Sequence, residues 1–447
     1  MKFLEEKFVP LAAKIGAEKH LASIRDAFTT MMPLTIAGAL GVLFNNFQGV
    51  FGETGLNMPA IANGYTNFIQ TTGLQQVFTN MNNGTVNCIA ILLVPMLAMK
   101  LAQANGGDGN AAAVTGLAAF MCGHGWNGVS GVDFTALGEG FAAGTINGVK
   151  YGGAVMDAQL IAAQGLFVAM LFGLFVGEVF PRLAANEKLK INMPDGVPPA
   201  VANAFSSMIP AIITLVLASA IYAYVLKFTG MSVFQVITKF LQAPLAGLSQ
   251  SVFMVIIMYF MIGLLWIFGL HGANIVGSVT TPILTPLSLE NVATFAAGGN
   301  PQNTVVSEMQ SGFAFLGGSG ATIGLIIAIF LFSKSEASKT IAKLSLAPGI
   351  FEINEPLTFG LPIVLNVTLA IPFIFGPVIL GVITYYIMEM GLIRRPCIQA
   401  PWVTPPVLIG FLCTGGDIKG AIWNVIEIVG LTALWTPFVM VNDRVNG

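Results

Sequence analysis

The chain has 447 residues, of which 55% are apolar and 9% charged, a formal net charge of −2 and a mean hydropathy of +0.80. This composition excludes a soluble domain and describes a chain that lives in a lipid bilayer. The near-zero charge without a basic stripe argues against nucleic acid as a partner. No Walker-type glycine loop followed by Lys and Ser or Thr is present, which excludes ATP hydrolysis by that device.

Residues 1–26 carry Lys2, Lys7, Lys14, Lys19 and Arg25 among several acids, with no clean apolar stretch, so no secretory signal peptide is expected. Leu4, Phe8, Leu11 and Ile15 recur at helical spacing and predict an amphipathic segment on the membrane surface, started or bent at Pro10. The basic residues before the first span place this end in the cytoplasm by the positive-inside rule. His20 falls in this segment, where a solvated role is the default.

Apolar stretches approaching the roughly 20 residues needed to span occur at 28–47, 86–101, 165–180, 206–226, 253–270, 321–332 with its flanks, 362–388 and 421–441. Weaker ones lie at 111–121 and 405–413. Polar interludes fall at 57–87, 123–157, 186–199 and 289–320. The second and fourth are rich in Gly, Asn, Ser and Thr, which suits external loops or re-entrant backbone lining a cavity. The third, NEKLKINMPDGVPPAV, is basic and proline-rich and reads as a cytoplasmic connection, as does the Lys334, Lys339 and Lys343 cluster. His124, in MCGHGWNG, is expected on an external loop. Glu178 with Arg182 (i, i+4), Glu389 with Arg394 and Arg395, and Asp417 with Lys419 are expected as structural ion pairs.

Three polar islands could carry chemistry. His271, in GLLWIFGLHGANIVGSV, follows an apolar run; it either offers its ring nitrogens to a ligand or is satisfied by neighbouring backbone. Asn274 and Trp266 share its face only where the backbone there is helical. The second island, GIFEINEPLTFG at 349–360, puts Glu352 and Glu355 at membrane depth, where a carboxylate costs roughly 2.5 to 3.5 kcal/mol and is tolerated mainly when facing a cavity or a partner. Pro356 is expected to hold Glu355 in extended backbone, outside a helical ladder. In the third, QAPWVTPPVLIGFLCTGGD, Trp402 sits on stiff irregular backbone, either stacking on a sugar ring or anchoring at the membrane interface. Cys88, Cys122, Cys397 and Cys413 have no paired spacing, so neither a disulfide frame nor a metal site is indicated.

These residues carry a resemblance. The chain is similar to enzyme IIC, the membrane component of the bacterial phosphoenolpyruvate-dependent sugar phosphotransferase system, in the lactose, cellobiose and N,N'-diacetylchitobiose family. The likeness runs through HLASIRDAFTTMMPLTIAGAL at 20–40, AAQGLFVAMLFG at 162–173, LKINMPDGVPPAVANAF at 189–205, FGLHGANIVG at 268–277, GIFEINEPLTFGLPIVLN at 349–366 and APWVTPP at 400–406. The last three, in this order, are the specific ones.

The resemblance implies an all-α membrane protein of about ten transmembrane helices with re-entrant hairpins, forming one domain over 1–447. Within it, 1–26 is the amphipathic cytoplasmic segment, about 27–250 holds the N-terminal helices with a homodimer interface, and about 251–447 binds and carries substrate. It implies a disaccharide, of cellobiose type, phosphorylated at its 6-hydroxyl by a phosphocysteine on a separate IIB subunit, itself supplied through IIA, with no cofactor or metal. Carried over by position, His271 and Glu355 contact the sugar, Trp402 stacks on it, Asn274 lies close by, and Glu352 assists; Glu355 is the expected general base. MCGHGWNGVSGVD at 121–133 and the stretch 289–304 depart from the family pattern and are expected to line an outer vestibule. The competing reading is an ion-coupled secondary sugar transporter, in which Glu352, Glu355 and His271 relay protons.

Overall fold

A computed structural model describes residues 9–52, 56–124, 145–146, 149–150, 158–191, 193–194, 196–361, 363 and 366–446. The described residues are mostly helical, joined by irregular segments, and include one two-residue antiparallel strand pair in which Thr145 faces Lys150 and Ile146 faces Val149. The chain divides into two compact units, residues 1–87 with 241–447, and residues 88–240. Residues 1–87 thus group with the C-terminal part of the chain.

In the first unit the long helix Lys19–Asn46 opens on Glu18, whose carboxylate accepts the backbone N–H groups of His20 and Leu21 at 2.9 and 3.0 Å. Its buried stripe, Ile24, Ala27, Phe28, Met31, Thr35 and Ala39, repeats at helical spacing. The core gathers around Tyr259, Phe373 and Trp435, all fully buried. Lipid tails are as apolar as leucine, so close packing of small residues holds such helices together. Gly324 shows why: a Cβ there would lie 2.5 Å from Leu431 Cβ, so the helices Ile323–Phe332 and Ile418–Asn446 meet only over a glycine.

The second unit is built on the helices Ile89–Ala104, Gly109–Met121, Leu166–Ala184 and Pro199–Thr229. Asn105 donates its side-chain amide to Gly177 O at 2.9 Å, and Tyr222 stacks on Phe172 with ring centroids 4.5 Å apart. Here the structure corrects one expectation. His124 is 4% exposed and packs edge-on against Phe120 and Phe234, at 4.8 and 5.1 Å between centroids, so it belongs to an aromatic core and not to an external loop. Most of the glycine-rich stretch that follows it lies outside the described residues.

Six helical stretches among the described residues are long and apolar enough to cross a membrane: Lys19–Phe51, Leu74–Ala104, Ala163–Ala184, Val201–Thr229, Thr368–Glu389 and Ile418–Arg444. A seventh crossing is available if the pair Val233–Ser249 and Val252–Ile267, bent by 74°, counts as one broken span. The expected span at 321–332 is a helix of 10 residues, Ile323–Phe332, and that at 405–413 holds a helix of 6, Leu408–Cys413. Both are too short to cross alone. The polar interlude 57–87 folds into helices, Pro59–Thr71 and Leu74–Asn83. The interlude 289–320 is largely internal, with Asn291 and Thr304 each 1% exposed and Glu308 7%, which fits re-entrant backbone and not an external loop. Glu178 pairs with Arg182 and Glu389 with Arg395 at 3.1 Å. Arg394 instead donates to the carbonyls of Thr414 and Gly415 at 3.1 and 3.2 Å. Asp417 accepts the backbone N–H of Lys419 at 3.0 Å in place of the expected side-chain pair.

Candidate functional site

The three polar islands all lie in the first unit. The second begins where the helix Glu336–Ile350, capped by Ser335, runs into Pro348 near its end. The chain then turns tightly, Phe351 and Ile353 both donating to Pro348 O at 2.9 and 3.0 Å. Glu352 occupies the turn with φ of 65°, a left-handed conformation that a residue with a Cβ adopts only when its surroundings enforce it.

What enforces it is a facing turn of glycines. The stretch Gln310–Ala314 is wound as a π-helix, and Gly317, Gly318 and Gly320 follow with φ of 83°, 93° and 85°. Such backbone aims successive N–H groups into one concavity that binds an anion. The occupant is Glu352: its Oε2 accepts from Gly317 N at 2.5 Å and Gly318 N at 2.8 Å. Asn354 adds a bond from its side-chain amide to Ser319 O. Glu352 is 6% exposed, and its other oxygen, Oε1, is buried with no partner among the described residues.

Glu355 stands differently. It opens the short helix Glu355–Gly360, with Pro356 in the first turn, which corrects the expectation of extended backbone. The first helical turn needs no N–H from proline, so proline fits there, and the backbone N–H of Glu355, in the same turn, stays outside the intrahelical hydrogen-bond ladder. Glu355 is half-buried, and no described residue hydrogen-bonds its carboxylate. The two acids are therefore inequivalent: Glu352 is consumed by backbone amides, and Glu355 is available.

His271 caps the helix Gly272–Ala296, its Nδ1 accepting the backbone N–H of Asn274 at 3.2 Å. That bond leaves Nε2 as the ring atom free to meet a ligand, and it satisfies part of the backbone alternative raised for this residue. The cap sits close to the preceding helix because residue 272 is glycine; a Cβ there would lie 2.1 Å from Ile262 O. The ring packs on Trp266 at 4.6 Å between centroids, and Trp266 in turn lies 6.3 Å from the ring of Phe359 on the Glu355 helix. Trp266 thus joins the first two islands. His271 and Asn274 are both exposed.

Trp402 is 49% exposed on an irregular loop, where Thr404 donates its N–H to Pro401 O at 2.9 Å. No described ring contact or hydrogen bond joins it to His271 or Glu355. Its loop is pinned at both ends. Gln399 donates to Ser288 Oγ at 3.2 Å, and Ser288 to Glu308 Oε2 at 2.6 Å. Beyond Trp402, Asn424 Oδ1 accepts from Val407 N and Gly410 N, both at 3.1 Å, and its amide donates to Gly312 O and Glu427 Oε2, both at 2.9 Å.

Sequence reasoning missed Glu308, Asn424 and Glu427, all buried. Glu427 is an acid inside the apolar run 421–441, so the charge argument applied to Glu352 would have found it. Glu308 and Asn424 had no such signal. Among the described residues no three His, Cys, Asp or Glu side chains are grouped to hold a metal, and none of the four cysteines forms a disulfide, with Cys397 and Cys413 buried.

The family described as "Phosphotransferase system, EIIC" matches residues 25–377. The cellobiose-specific EIIC component of Lactococcus lactis subsp. lactis (strain IL1403) is 33% identical, over 99% of this chain and 98% of the relative. The cellobiose-specific EIIC component of Geobacillus stearothermophilus is 34% identical, over 99% and 94%. The crystal structure of ChbC, the IIC component of an N,N'-diacetylchitobiose-specific phosphotransferase system, superposes with a TM-score of 0.86 at 32% identity, over 99% of this chain and 98% of that one. The sequence islands, the helical membrane fold and these likenesses agree: the chain belongs to the EIIC family of phosphotransferase-system membrane components, in its cellobiose and lactose group.

Proposed function

We propose that this chain carries a β-linked disaccharide of cellobiose type across the plasma membrane and presents its 6-hydroxyl to a phosphocysteine on a IIB subunit. The sugar class is supported by the cellobiose-specific relatives. A separate chain as phosphoryl carrier is supported by the family, that of the membrane component, and by the four cysteines, none of which lies in a sequence like the phosphorylated cysteine of a IIB domain. The chain works as a homodimer through its N-terminal helices, with its N-terminus in the cytoplasm.

The observation that carries the mechanism is the contrast between the two acids. Glu352 has its Oε2 held by Gly317 and Gly318, whereas Glu355 keeps a free carboxylate on the next turn. In this reading Glu355 accepts the proton of the 6-hydroxyl as that oxygen attacks phosphorus. The phosphorus–sulfur bond breaks as the phosphorus–oxygen bond forms, and the thiolate leaves on IIB. His271, whose ring is fixed by Asn274 N and Trp266, orients a neighbouring hydroxyl; Asn274 lies beside it and Trp402 covers the ring face. Glu352 helps by holding the hairpin.

Membrane vesicles supplied with the soluble phosphotransferase components and phosphoenolpyruvate test this. Glu355→Gln is expected to bind cellobiose and to phosphorylate none. Wild-type accumulation of free sugar under a proton gradient, with no phosphoenolpyruvate requirement, would establish the ion-coupled reading instead.

A further inference from the structure

A cavity lies in the first unit, away from His271 and Glu355. It measures about 320 Å³ and is lined by Asn46, Gln48, Gly49, Phe295, Asn300 and Arg394 among others, at the small end of the roughly 300 to 1,000 Å³ of ligand pockets. Phe295 is at the C-terminal end of the same helix, Gly272–Ala296, that His271 caps at its N-terminus. Twenty-five residues at 1.5 Å each put the two ends roughly 37 Å apart, so the cavity is not part of the His271 site. Asn46 is likewise the far end of the Lys19–Asn46 helix. With the N-terminus in the cytoplasm, this end faces outward.

The lining has the chemistry of a polyol site. Three neutral amide side chains, Asn46, Gln48 and Asn300, stand beside one guanidinium and one aromatic ring. The guanidinium of Arg394 lies 5.3 Å from the centre of the Phe295 ring and is compensated by two carbonyl oxygens, which leaves its remaining N–H groups as donors but lowers its pull on an anion. Side-chain amides carry both donors and acceptors, which suits the hydroxyl groups of a sugar better than a phosphate or carboxylate.

We infer that this cavity is an outer sugar-capture site, which takes a disaccharide from outside before it reaches the His271 and Glu355 site. The inference rests on the proposed function for the identity of the sugar and the side it enters from. Gly49 gives a clean test, because its Cβ position meets nothing within 4 Å. Gly49→Trp adds an indole at the cavity wall, and Gln48→Leu keeps the shape and removes the side-chain amide.

Initial rates of uptake with phosphorylation are measured in vesicles against external cellobiose. Either variant is expected to raise KM roughly fivefold, with the effect on KM rather than on maximal rate. Gly64→Trp, on an open position of a neighbouring helix, serves as the bulk control and keeps the wild-type KM. A wild-type KM in Gln48→Leu, or in Gly49→Trp of normal expression and thermal stability, overturns the capture site. Failure of the phosphotransferase reading would show in the wild-type protein, as uptake independent of phosphoenolpyruvate, and the KM comparison would still be decided by the same variants.

Discussion

Oε2 of Glu352 accepts the backbone N–H of Gly318 at 2.8 Å, and the carbonyl of Glu352 lies so near Gly318 that a Cβ there would sit 2.7 Å away. Two residues 34 positions apart in sequence thus each hold the other in a left-handed conformation. Gly318→Ala adds a Cβ at φ of 93° and a backbone clash, and is expected to cost about 1 to 3 kcal/mol. Thermal unfolding of the detergent-solubilised protein measures this, and a Tm equal to wild type would contradict the clamp.

The clamp separates the two glutamates experimentally. Glu352→Leu strands the amides of Gly317 and Gly318 and is expected to cost about 2 to 6 kcal/mol, with about 1 to 3 kcal/mol for each buried N–H left unmatched. Glu352→Gln keeps an acceptor and loses about half as much. Its phosphorylation activity is expected to survive in the protein that folds, against none for Glu355→Gln. Equal loss in both would mean that the acids share the chemistry.

Trp402→Ala is expected to raise KM for cellobiose about threefold to tenfold, and Trp402→Phe less, as befits an aromatic stacking contact. Quenching or enhancement of tryptophan fluorescence by the sugar should vanish in Trp402→Phe. An unchanged KM in both variants would leave the ring as an interfacial anchor.

Asn424 makes four hydrogen bonds from a fully buried side chain. Asn424→Leu orphans the N–H groups of Val407 and Gly410, and Val407 is itself held at φ of 73°. The expected loss is about 3 to 5 kcal/mol, read as a lower Tm. The same variant should also raise KM, because it frees one end of the loop that carries Trp402.

Glu18 provides a pH dependence. Burial acts to raise its pKa, but the backbone N–H of Leu21 and the ring and N–H of His20 outweigh it and hold the carboxyl below its ordinary value of 4.5. The folded value being the lower, the stabilisation is complete above about pH 4.5 and is lost as pH falls through the folded pKa. Glu18→Ala is expected to cost about 1 kcal/mol at neutral pH, as for other N-caps, with the gap to wild type closing in acid. A gap independent of pH between 3 and 6 would rule out the cap.

The residues of the candidate site stood out in the sequence because each is unusual against an apolar background: Glu352, Glu355 and His271 each interrupt one. It also carried the family, through segments distinctive enough to recognise together. What it hid was the fate of polar residues in polar company. Asn291, Thr304 and Glu308 lie in a stretch whose composition suits an external loop as well as re-entrant backbone, yet all three are buried and hydrogen-bonded inside the protein. The Glu355 helix was hidden for a different reason, since a proline reads equally as an interruption and as the first turn of a helix.

The division of the chain also orders its synthesis. Residues 88–240 form one uninterrupted unit, while the unit that carries His271, Glu355 and Trp402 is assembled from 1–87 and 241–447. A ribosome therefore delivers every part of the inserted unit before the split one has received its second piece. Domains fold as units during translation, so the helix Lys19–Asn46, which packs on Leu74–Asn83 of its own segment and on Gly272–Ala296 of the later one, must wait in the bilayer with part of its buried stripe uncovered until the second piece emerges. Premature truncation should spare the insert and strand the amino-terminal helices, the point at which membrane quality control would meet this protein first.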